Sequence, residues 1–200
     1  MSEASAAIAS GFACPVHDAN LVFRRVLQAM SRPGRVLDCG AVSALPPPPL
    51  GSADTAVLLA LTDLDTPVWL DGAARIPEVE TFIRFHTGAP LVRDPNAAAF
   101  IVATAARRVP SLDDLPQGSD LAPELGCTLI VEAEDLSNDE GHLLHGPGIR
   151  QNARFTARGL SEKFWIERWQ MQARFPRGID IVFTAGRMLA ALPRTTKVEF

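Results

Sequence analysis

The sequence predicts one α/β domain in which helices flank a mixed β-sheet. Residues 15–31 have the apolar spacing of an amphipathic helix, and residues 98–103 and 127–133 are short apolar runs that suit buried strands. Residues 179–183 and 188–192 are two further apolar runs, separated by a short glycine-containing segment that suits a β-hairpin. Strands that alternate with helices favour parallel pairing, whereas a hairpin is antiparallel, so the predicted sheet is mixed.

Length and composition predict a single folded unit. The chain has 200 residues, of which 47% are hydrophobic, and this is enough for one sizeable core. We expect a flexible tail over residues 1–14 and one domain over residues 15–200, because the first residues have neither a basic start nor a long apolar run. No apolar stretch approaches the roughly 20 residues that a membrane helix needs, so we expect a cytoplasmic protein.

The first half of the chain begins with the clearest helix. Pro15 suits its first turn, and Pro33 and Gly34 stop it. Further elements follow in order: a short strand at 35–39, an extended connector of four prolines at 46–49, a buried helix at 55–61 and a strand at 68–70. Apolar residues at helical spacing then predict a helix that begins near Pro77 and stops at Gly88.

The second half adds more strands and another helix to this pattern. Besides the strands and the hairpin named above, its expected elements are a capped helical turn at 111–115, an acidic loop at 132–140, a turn at 146–148 and a helix at 160–175. No internal repeat is visible. Strands and helices therefore alternate along most of the chain, as the α/β class requires.

Charge is segregated along the chain. Residues 1–149 carry nine arginines against nineteen acids, a net charge of −10, whereas residues 150–200 carry ten cations against four acids, a net charge of +6. The basic last quarter predicts contact with an anion, an acidic partner or the acidic part of the same fold. An Arg-rich genome composition explains the arginines equally well. We expect no nucleic-acid partner, because the whole chain has a net charge of −4.

Arg84, His86 and Thr87 form the first candidate anion-binding group. They lie at the predicted end of a helix, next to the Gly88 turn. Guanidinium, imidazole and hydroxyl groups are donors that suit the oxygens of a phosphate or phosphonate. The structural alternative is that His86 caps the helix end, where its cation favours the helix dipole, and that Arg84 is a solvated helix residue.

Arg194, Thr195 and Thr196 form the second candidate group. They combine a guanidinium with two hydroxyls after the predicted hairpin. In the alternative interpretation Arg194 anchors the end of the chain and the threonines are strand residues. The sequence alone does not place this group next to Arg84.

Two other motifs suggest chemistry that the rest of the sequence does not support. Asp63 and Asp65 follow an apolar run, as do the nucleophile and acid of aspartate-based phosphatases, but Asp side chains also serve turns. His142 and His145 would point to opposite faces of a strand, so we expect no metal site there. The three cysteines are odd in number and far apart, which favours reduced, buried thiols: Cys14, Cys39 and Cys127.

Several segments carry a family resemblance. They are residues 23–34 (FRRVLQAMSRPG), 65–70 (DTPVWL), 84–92 (RFHTGAPLV), 178–181 (GIDI) and 192–196 (LPRTT). In order and spacing they resemble the PhnH family, a subunit family of bacterial carbon–phosphorus lyase. The resemblance extends from about Pro15 to Glu199.

The resemblance implies one component of an alkylphosphonate-degrading assembly. In that assembly PhnG, PhnH, PhnI and PhnL together displace adenine from MgATP with a phosphonate and form alpha-D-ribose 1-methylphosphonate 5-triphosphate. A radical-SAM subunit, PhnJ, then cuts the carbon–phosphorus bond. The implied partners are therefore PhnG, PhnI, PhnJ, PhnL and a second copy of this chain.

The resemblance also implies the fold of pyridoxal-phosphate-dependent transferases. Such an enzyme needs a Schiff-base lysine and an acidic partner for the ring nitrogen. Neither Lys163 nor Lys197 has that setting, so we expect no pyridoxal phosphate and no other cofactor, with MgATP as a substrate of the assembly.

Two functional hypotheses remain open. In the first, the chain contributes Arg84, His86 and Arg194 to a shared phosphonate or nucleotide site. In the second, which we favour as the main role, it is a structural subunit whose arginines, Trp165 and Trp169 make interfaces. The sequence assigns no catalytic step to the chain.

Overall fold

A seven-stranded sheet runs through the molecule, with helices packed on it. The computed structural model describes residues 8–40 and 44–200. The helices are α1 (Pro15–Ser31), α2 (Ser52–Leu61), α3 (Pro77–Thr87) and α4 (Glu162–Met171). The strands are β1 (Leu37–Asp38), β2 (Val68–Leu70), β3 (Leu91–Val92), β4 (Phe100–Ala103), β5 (Thr128–Glu132), β6 (Asp135–His145), β7 (Ala153–Arg158), β8 (Asp180–Ala185), β9 (Met188–Leu192) and β10 (Lys197–Glu199).

The large sheet is mixed, as predicted. Its strand order is β1-β9-β8-β5-β4-β2-β3. The five strands β3, β2, β4, β5 and β8 pair in parallel, whereas β9 pairs antiparallel with both of its neighbours, β8 and β1. The predicted hairpin at β8 and β9 is confirmed, with a two-residue connection at Gly186 and Arg187. β8 lies between β5 and β9, so a late segment of the chain completes the middle of the sheet.

Alternate residues of the central strands bury opposite faces of the sheet, as the period of a strand requires. Ile130 and Val182 face a layer formed by α1, α2 and α3. Their neighbours Leu129, Val131 and Phe183 face a second core that includes α4 and a small sheet. The molecule therefore has one mixed α/β domain with a helical layer on one face and a combined helix-and-sheet layer on the other.

The small sheet corrects one prediction. Residues 132–140, expected to be an acidic loop, lie mostly in β6, which pairs antiparallel with β7 and β10. The middle of β6 is exposed and has a bulge between Ser137 and His142, so its polar residues face solvent and give no apolar alternation. β3, β7 and β10 were not predicted, because they are short or polar.

The predicted helices are confirmed with changes at their ends. α1 has the predicted bounds, and α3 ends at Thr87, directly before Gly88, whose φ of 73° is a left-handed conformation that suits glycine. α2 begins at Ser52, earlier than expected. The helix predicted at 160–175 is shorter, because α4 ends at Met171 and a 3-10 turn follows.

The amino-terminal segment and the cysteines complete the comparison. Residues 1–7 of the expected tail lie outside the described residues, whereas Ala9 and Phe12 pack against the core. Cys39 and Cys127 are buried free thiols, but Cys14 is exposed, so the expectation of three buried thiols is wrong for Cys14. Across residues 8–40 and 44–200, none of the helices is long and apolar enough to cross a membrane.

Candidate functional site at the carboxyl edge of the sheet

Polar side chains collect where the parallel strands end. Asp71 directly follows β2, Thr104 directly follows β4, and Glu132 is the last residue of β5. Thr184 lies near the end of β8, opposite Glu132 in the register. Parallel strands place their carboxyl ends at one edge, and open α/β sheets bind ligands in the crevice outside that edge. This edge is therefore a candidate functional site.

Asp54 and Glu132 form a carboxyl pair at this edge. Asp54 lies in the first turn of α2 and is fully buried, where it accepts hydrogen bonds from the Thr184 hydroxyl and the Gly51 amide. Burial raises the pKa of Asp54, and burial together with the neighbouring Asp54 raises the pKa of Glu132 to about 8. The pair therefore retains a proton at neutral pH.

Asp71 organises the neighbouring strand ends. One carboxylate oxygen accepts hydrogen bonds from the amide and hydroxyl of Thr104, at 2.6 and 2.7 Å, and the other accepts from the Ala73 amide at 2.7 Å. Arg108 donates to the same Thr104 hydroxyl at 3.0 Å. Asp71 thus ties the end of β2 to the end of β4.

Two adjoining cavities open at this edge. The first has a volume of about 210 Å³ and includes Thr104, Arg107, Glu132 and Gly159 in its lining. The second, of about 250 Å³, shares Arg107 and Gly159 and extends to Lys163. A carboxyl that titrates near neutral pH, beside an arginine in a cavity, can exchange a proton with an anionic ligand. The same contacts also serve structure, because Asp54 caps the amino end of α2.

The first predicted anion group is engaged in contacts of its own. Arg84 pairs with Glu80 at 3.2 Å, and the Thr87 hydroxyl donates to the Ile83 carbonyl at 2.8 Å. His86 is half-buried, and its Nε2 contacts the Ala9 carbonyl at 2.9 Å. His86 thus links the end of α3 to the amino-terminal segment.

The second predicted anion group is built around an ion pair. Arg194 Nη2 lies 2.7 Å from Asp180 Oδ2, and Arg194 also donates to the Pro123 carbonyl. Thr195 is exposed and Thr196 is fully buried, with its carbonyl accepting from the buried Arg168 at 2.7 Å. These contacts give Arg194 the anchoring role of the structural alternative.

The structure separates the two predicted groups within one chain. Arg84 lines a small cavity with residues of β3, whereas Arg194 binds Asp180 at the start of β8. The order β8-β5-β4-β2-β3 places four strand spacings of about 4.8 Å between them, or roughly 19 Å. A site that combines both arginines therefore needs another chain.

Asp63 and Asp65 do not have the geometry of a phosphatase site. The apolar run before them is α2, not a strand, and they precede β2 at the amino edge of the sheet. A hydrogen bond from the Thr66 hydroxyl, with one from the Asp65 amide, lowers the pKa of Asp63. The two aspartates form an exposed turn, which is the structural alternative.

The histidines and tryptophans of the second core have packing roles. The His142 ring lies 4.3 Å from the Trp165 ring, and His145 contacts Glu199 at 3.2 Å. Residues 8–40 and 44–200 contain no group of three metal-ligating side chains. Trp165 is 4% exposed, so its predicted interface role is wrong, whereas Trp169 is 51% exposed and remains available for an interface.

The carboxyl-edge residues were missed although the sequence contained a signal for them. The strands at 68–70, 98–103 and 127–133 were predicted, and Asp71, Thr104 and Glu132 stand at or just beyond their ends. Applying the carboxyl-edge rule to these strands would have selected all three residues. Asp54 gave no such signal, because its place at the edge depends on how α2 packs.

Comparison with known proteins decides the family. A family model described as "Bacterial phosphonate metabolism protein (PhnH)" matches residues 10–199. The chain belongs to the PhnH family. Over 200 residues it is 38% identical to "Alpha-D-ribose 1-methylphosphonate 5-triphosphate synthase subunit PhnH" of Rhizobium meliloti (strain 1021), covering 100% of this chain and 99% of that relative.

A second relative is more distant. The chain is 29% identical over 178 residues to "Putative C-P lyase subunit protein HtxG" of Stutzerimonas stutzeri, which covers 88% of this chain and 84% of that relative. Together with the family match, these relatives confirm the PhnH resemblance that the sequence motifs indicated.

Proposed function

We propose that this chain is a subunit of a carbon–phosphorus lyase assembly. Within it, the chain helps to form alpha-D-ribose 1-methylphosphonate 5-triphosphate from MgATP and an alkylphosphonate. The observation that carries the proposal is the 38% identity to a named subunit of that synthase, which extends over the whole length of both proteins. Phosphonate catabolism is the corresponding process.

The main role of the chain in this proposal is structural. Arg194, a predicted site residue, is bound to Asp180, and Arg84 is bound to Glu80. Trp169 is 51% exposed, and exposed tryptophan is typical of interfaces. The anion site at Arg84, His86 and Thr87 stays a prediction, to be completed by another subunit.

The finer features of the proposal come from the family resemblance. We propose PhnG, PhnI, PhnJ and PhnL as partners, a homodimer in solution, and a cytoplasmic location. We also propose that the fold is that of pyridoxal-phosphate-dependent transferases without the cofactor. Both lysines have exposed positions, Lys163 next to Glu167 and Lys197 on β10, and this does not favour a Schiff base.

Reconstitution tests the proposed function. PhnG, PhnI and PhnL are combined with MgATP and methylphosphonate, with and without this chain, and released adenine is measured by chromatography. We expect adenine release only from the mixture that contains the chain, and none from the chain alone. Equal release without the chain, or turnover by the purified chain, would contradict the proposal.

A variant pair then separates structure from chemistry. Glu132→Gln removes the titrating carboxyl at the carboxyl edge, and Glu140→Gln is the control at an exposed carboxyl of β6 that does not line either cavity. A structural role predicts that both variants assemble and release adenine at near wild-type rates. A loss of more than about tenfold confined to Glu132→Gln, with assembly intact, would assign a chemical role to the edge.

A further inference from the structure

An arginine-lined groove lies away from the carboxyl edge. It forms where the end of α1, the middle of β6 and the start of β7 meet, and its volume is about 390 Å³. Four arginines line it: Arg32, Arg35, Arg150 and Arg154. The other lining residues are Pro33, Asn138, Gly148, Ile149, Asn152 and Ala153. The described residues thus give the groove four guanidinium groups and no carboxylate.

Hydrogen bonds hold the walls of this groove in place. The Asn138 side chain donates to the Gly34 carbonyl at 2.7 Å and to the Arg154 carbonyl at 2.9 Å, and it accepts from the Val36 amide at 3.1 Å. One side chain on β6 therefore ties the segment after α1 to the start of β7. The groove does not depend on a ligand for its shape.

A close backbone contact closes one side of the groove. Gly148 has a φ of 83°, and a Cβ there would lie 2.3 Å from the Ser31 carbonyl oxygen. The connection between β6 and β7 can approach the end of α1 only with glycine at this position. Arg32 and Arg150, on the two sides of this contact, both line the groove.

The four groove arginines have no ion-pair partner among the described residues. Six other arginines lie within 4.0 Å of a carboxylate: Arg84, Arg158, Arg174, Arg177, Arg187 and Arg194. Over the described ranges, none of the four groove arginines has such a partner. Four like charges repel one another, so an anion between them is favoured.

We propose that this groove binds a linear oligophosphate, such as the triphosphate chain of a nucleotide. A triphosphate presents several oxyanions in a row, and each guanidinium can donate two hydrogen bonds to phosphate oxygens. The volume is that of a small-molecule site, whereas a protein partner needs an interface of about 1,000 Å² or more. The charges and the concave shape therefore favour a small polyanion.

The inference deepens the proposed function and rests on it for biological meaning. A 5-triphosphate occurs in the name of the synthase to which the Rhizobium relative belongs. Binding itself is a property of the isolated chain, and it can be measured without partner subunits. Failure of the groove and failure of the proposed function are therefore separate results.

Isothermal titration of the purified chain tests the ligand class. The probes are tripolyphosphate, ATP, orthophosphate, methylphosphonate and adenosine. We expect tripolyphosphate and ATP to bind with similar affinity, orthophosphate and methylphosphonate to bind at least about tenfold more weakly, and adenosine not to bind. ATP binding far more tightly than tripolyphosphate would overturn the oligophosphate assignment in favour of a nucleoside site.

Variants locate the binding site. Arg35→Gln and Arg150→Gln each remove one groove charge. Neither side chain has an ion-pair partner among the described residues, so the fold should tolerate both substitutions. Each is expected to weaken tripolyphosphate binding about tenfold or more, whereas Arg150→Lys, which keeps the charge, loses less. The matched control is Arg158→Gln, on the same strand as Arg154 but paired with Glu134, and its affinity should change less than about threefold.

Three outcomes would overturn the inference. The first is unchanged affinity in both groove variants, and the second is an equal loss in Arg158→Gln, which would indicate nonspecific charge. The third is an absence of tripolyphosphate binding while Arg35→Gln and Arg150→Gln lose partner subunits, which would make the groove an acidic-protein interface. Tripolyphosphate binding by a chain that fails to support adenine release would instead retain the groove and reject the proposed function.

Discussion

Glu132, coupled to the buried Asp54, links stability to pH. Its folded pKa is about 8, whereas the ordinary value is 4.5, so between these values the folded chain binds a proton that the unfolded chain has released. The free energy of unfolding should therefore fall as pH rises from about 4.5 to 8. Glu132→Gln should flatten this dependence and be more stable than the wild type at the upper end. Urea unfolding across this pH range measures the effect.

The control for this prediction is Glu134→Gln. Glu134 has an exposed side chain paired with Arg158, and its substitution should leave the pH dependence of the wild type unchanged. A wild-type slope that persists in Glu132→Gln would assign the titration to another group.

Arg194 is the second residue with a measurable structural effect. Its side chain is 15% exposed and joins Asp180 and the Pro123 carbonyl, so Arg194→Met leaves a partly buried carboxylate and a carbonyl without this partner. We expect a loss of about 1–3 kcal/mol in the free energy of unfolding. Arg187→Met, which breaks an ion pair whose side chains are 62% and 52% exposed, should cost about 1 kcal/mol or less. Equal losses in both variants, measured by urea unfolding, would reject the anchoring role.

At the residue scale, sequence patterns pointed to polar side chains but did not predict which residues those side chains contact in the fold. Arg194 was chosen because a guanidinium stands beside two threonines, but Asp180, fourteen residues earlier, takes up its charge. Asp54 was not chosen, because its position just before the helix predicted at 55–61 gives no sign of a distant partner. Its link to Thr184, 130 residues away, exists only in the folded chain.

Asn138 attaches the β6–β7 hairpin to the segment that follows α1. Asn138→Ala removes three hydrogen bonds to backbone groups and should lower the free energy of unfolding by about 1–3 kcal/mol. Asn152→Ala, an exposed groove residue, is the control and should change it by about 0.5 kcal/mol or less. The measurement is thermal or urea unfolding of the three proteins side by side.

At the scale of elements, apolar periodicity predicted the buried parts of the fold and failed on the exposed ones. α1 and the strands β2, β4 and β5 have buried faces, and their positions were found from sequence. β6 is 11 residues long but has an exposed middle with a bulge, so apolar residues do not recur at every second position along it. Its pairing with β7 and β10 depends on contacts that a local pattern does not contain.

At the scale of the whole molecule, part of the basic last quarter forms ion pairs with the acidic remainder of the same chain. Arg158, Arg174, Arg177 and Arg187 of the basic last quarter pair with Glu134, Asp113, Asp120 and Asp38 of the acidic part. The third alternative from the sequence, contact with the acidic part of the same fold, is therefore realised for these arginines. The groove arginines do not take part in this pairing and keep their positive charge.

The proposed homodimer should accordingly be insensitive to salt. Because several basic residues are paired within the chain, we expect two copies to associate mainly by apolar contact. Light scattering at micromolar concentration should give twice the chain mass of 21.5 kDa, and the value should persist at about 1 M salt, where charges are screened beyond about 3 Å. A strict monomer at low salt contradicts the homodimer, and dissociation in high salt contradicts the apolar interface.

The position of β8 has a consequence during synthesis on the ribosome. β5 ends at residue 132, and its sheet neighbour β8 extends from 180 to 185, about 50 residues later. At about 5–20 residues per second, translation needs roughly 3 to 10 s to supply that neighbour. Over this interval one edge of β5, with the sequence TLIVE, has no native strand to pair with. Such an apolar edge is a template for association between nascent chains, so slower initiation or a chaperone that covers β5 should raise the yield of folded protein.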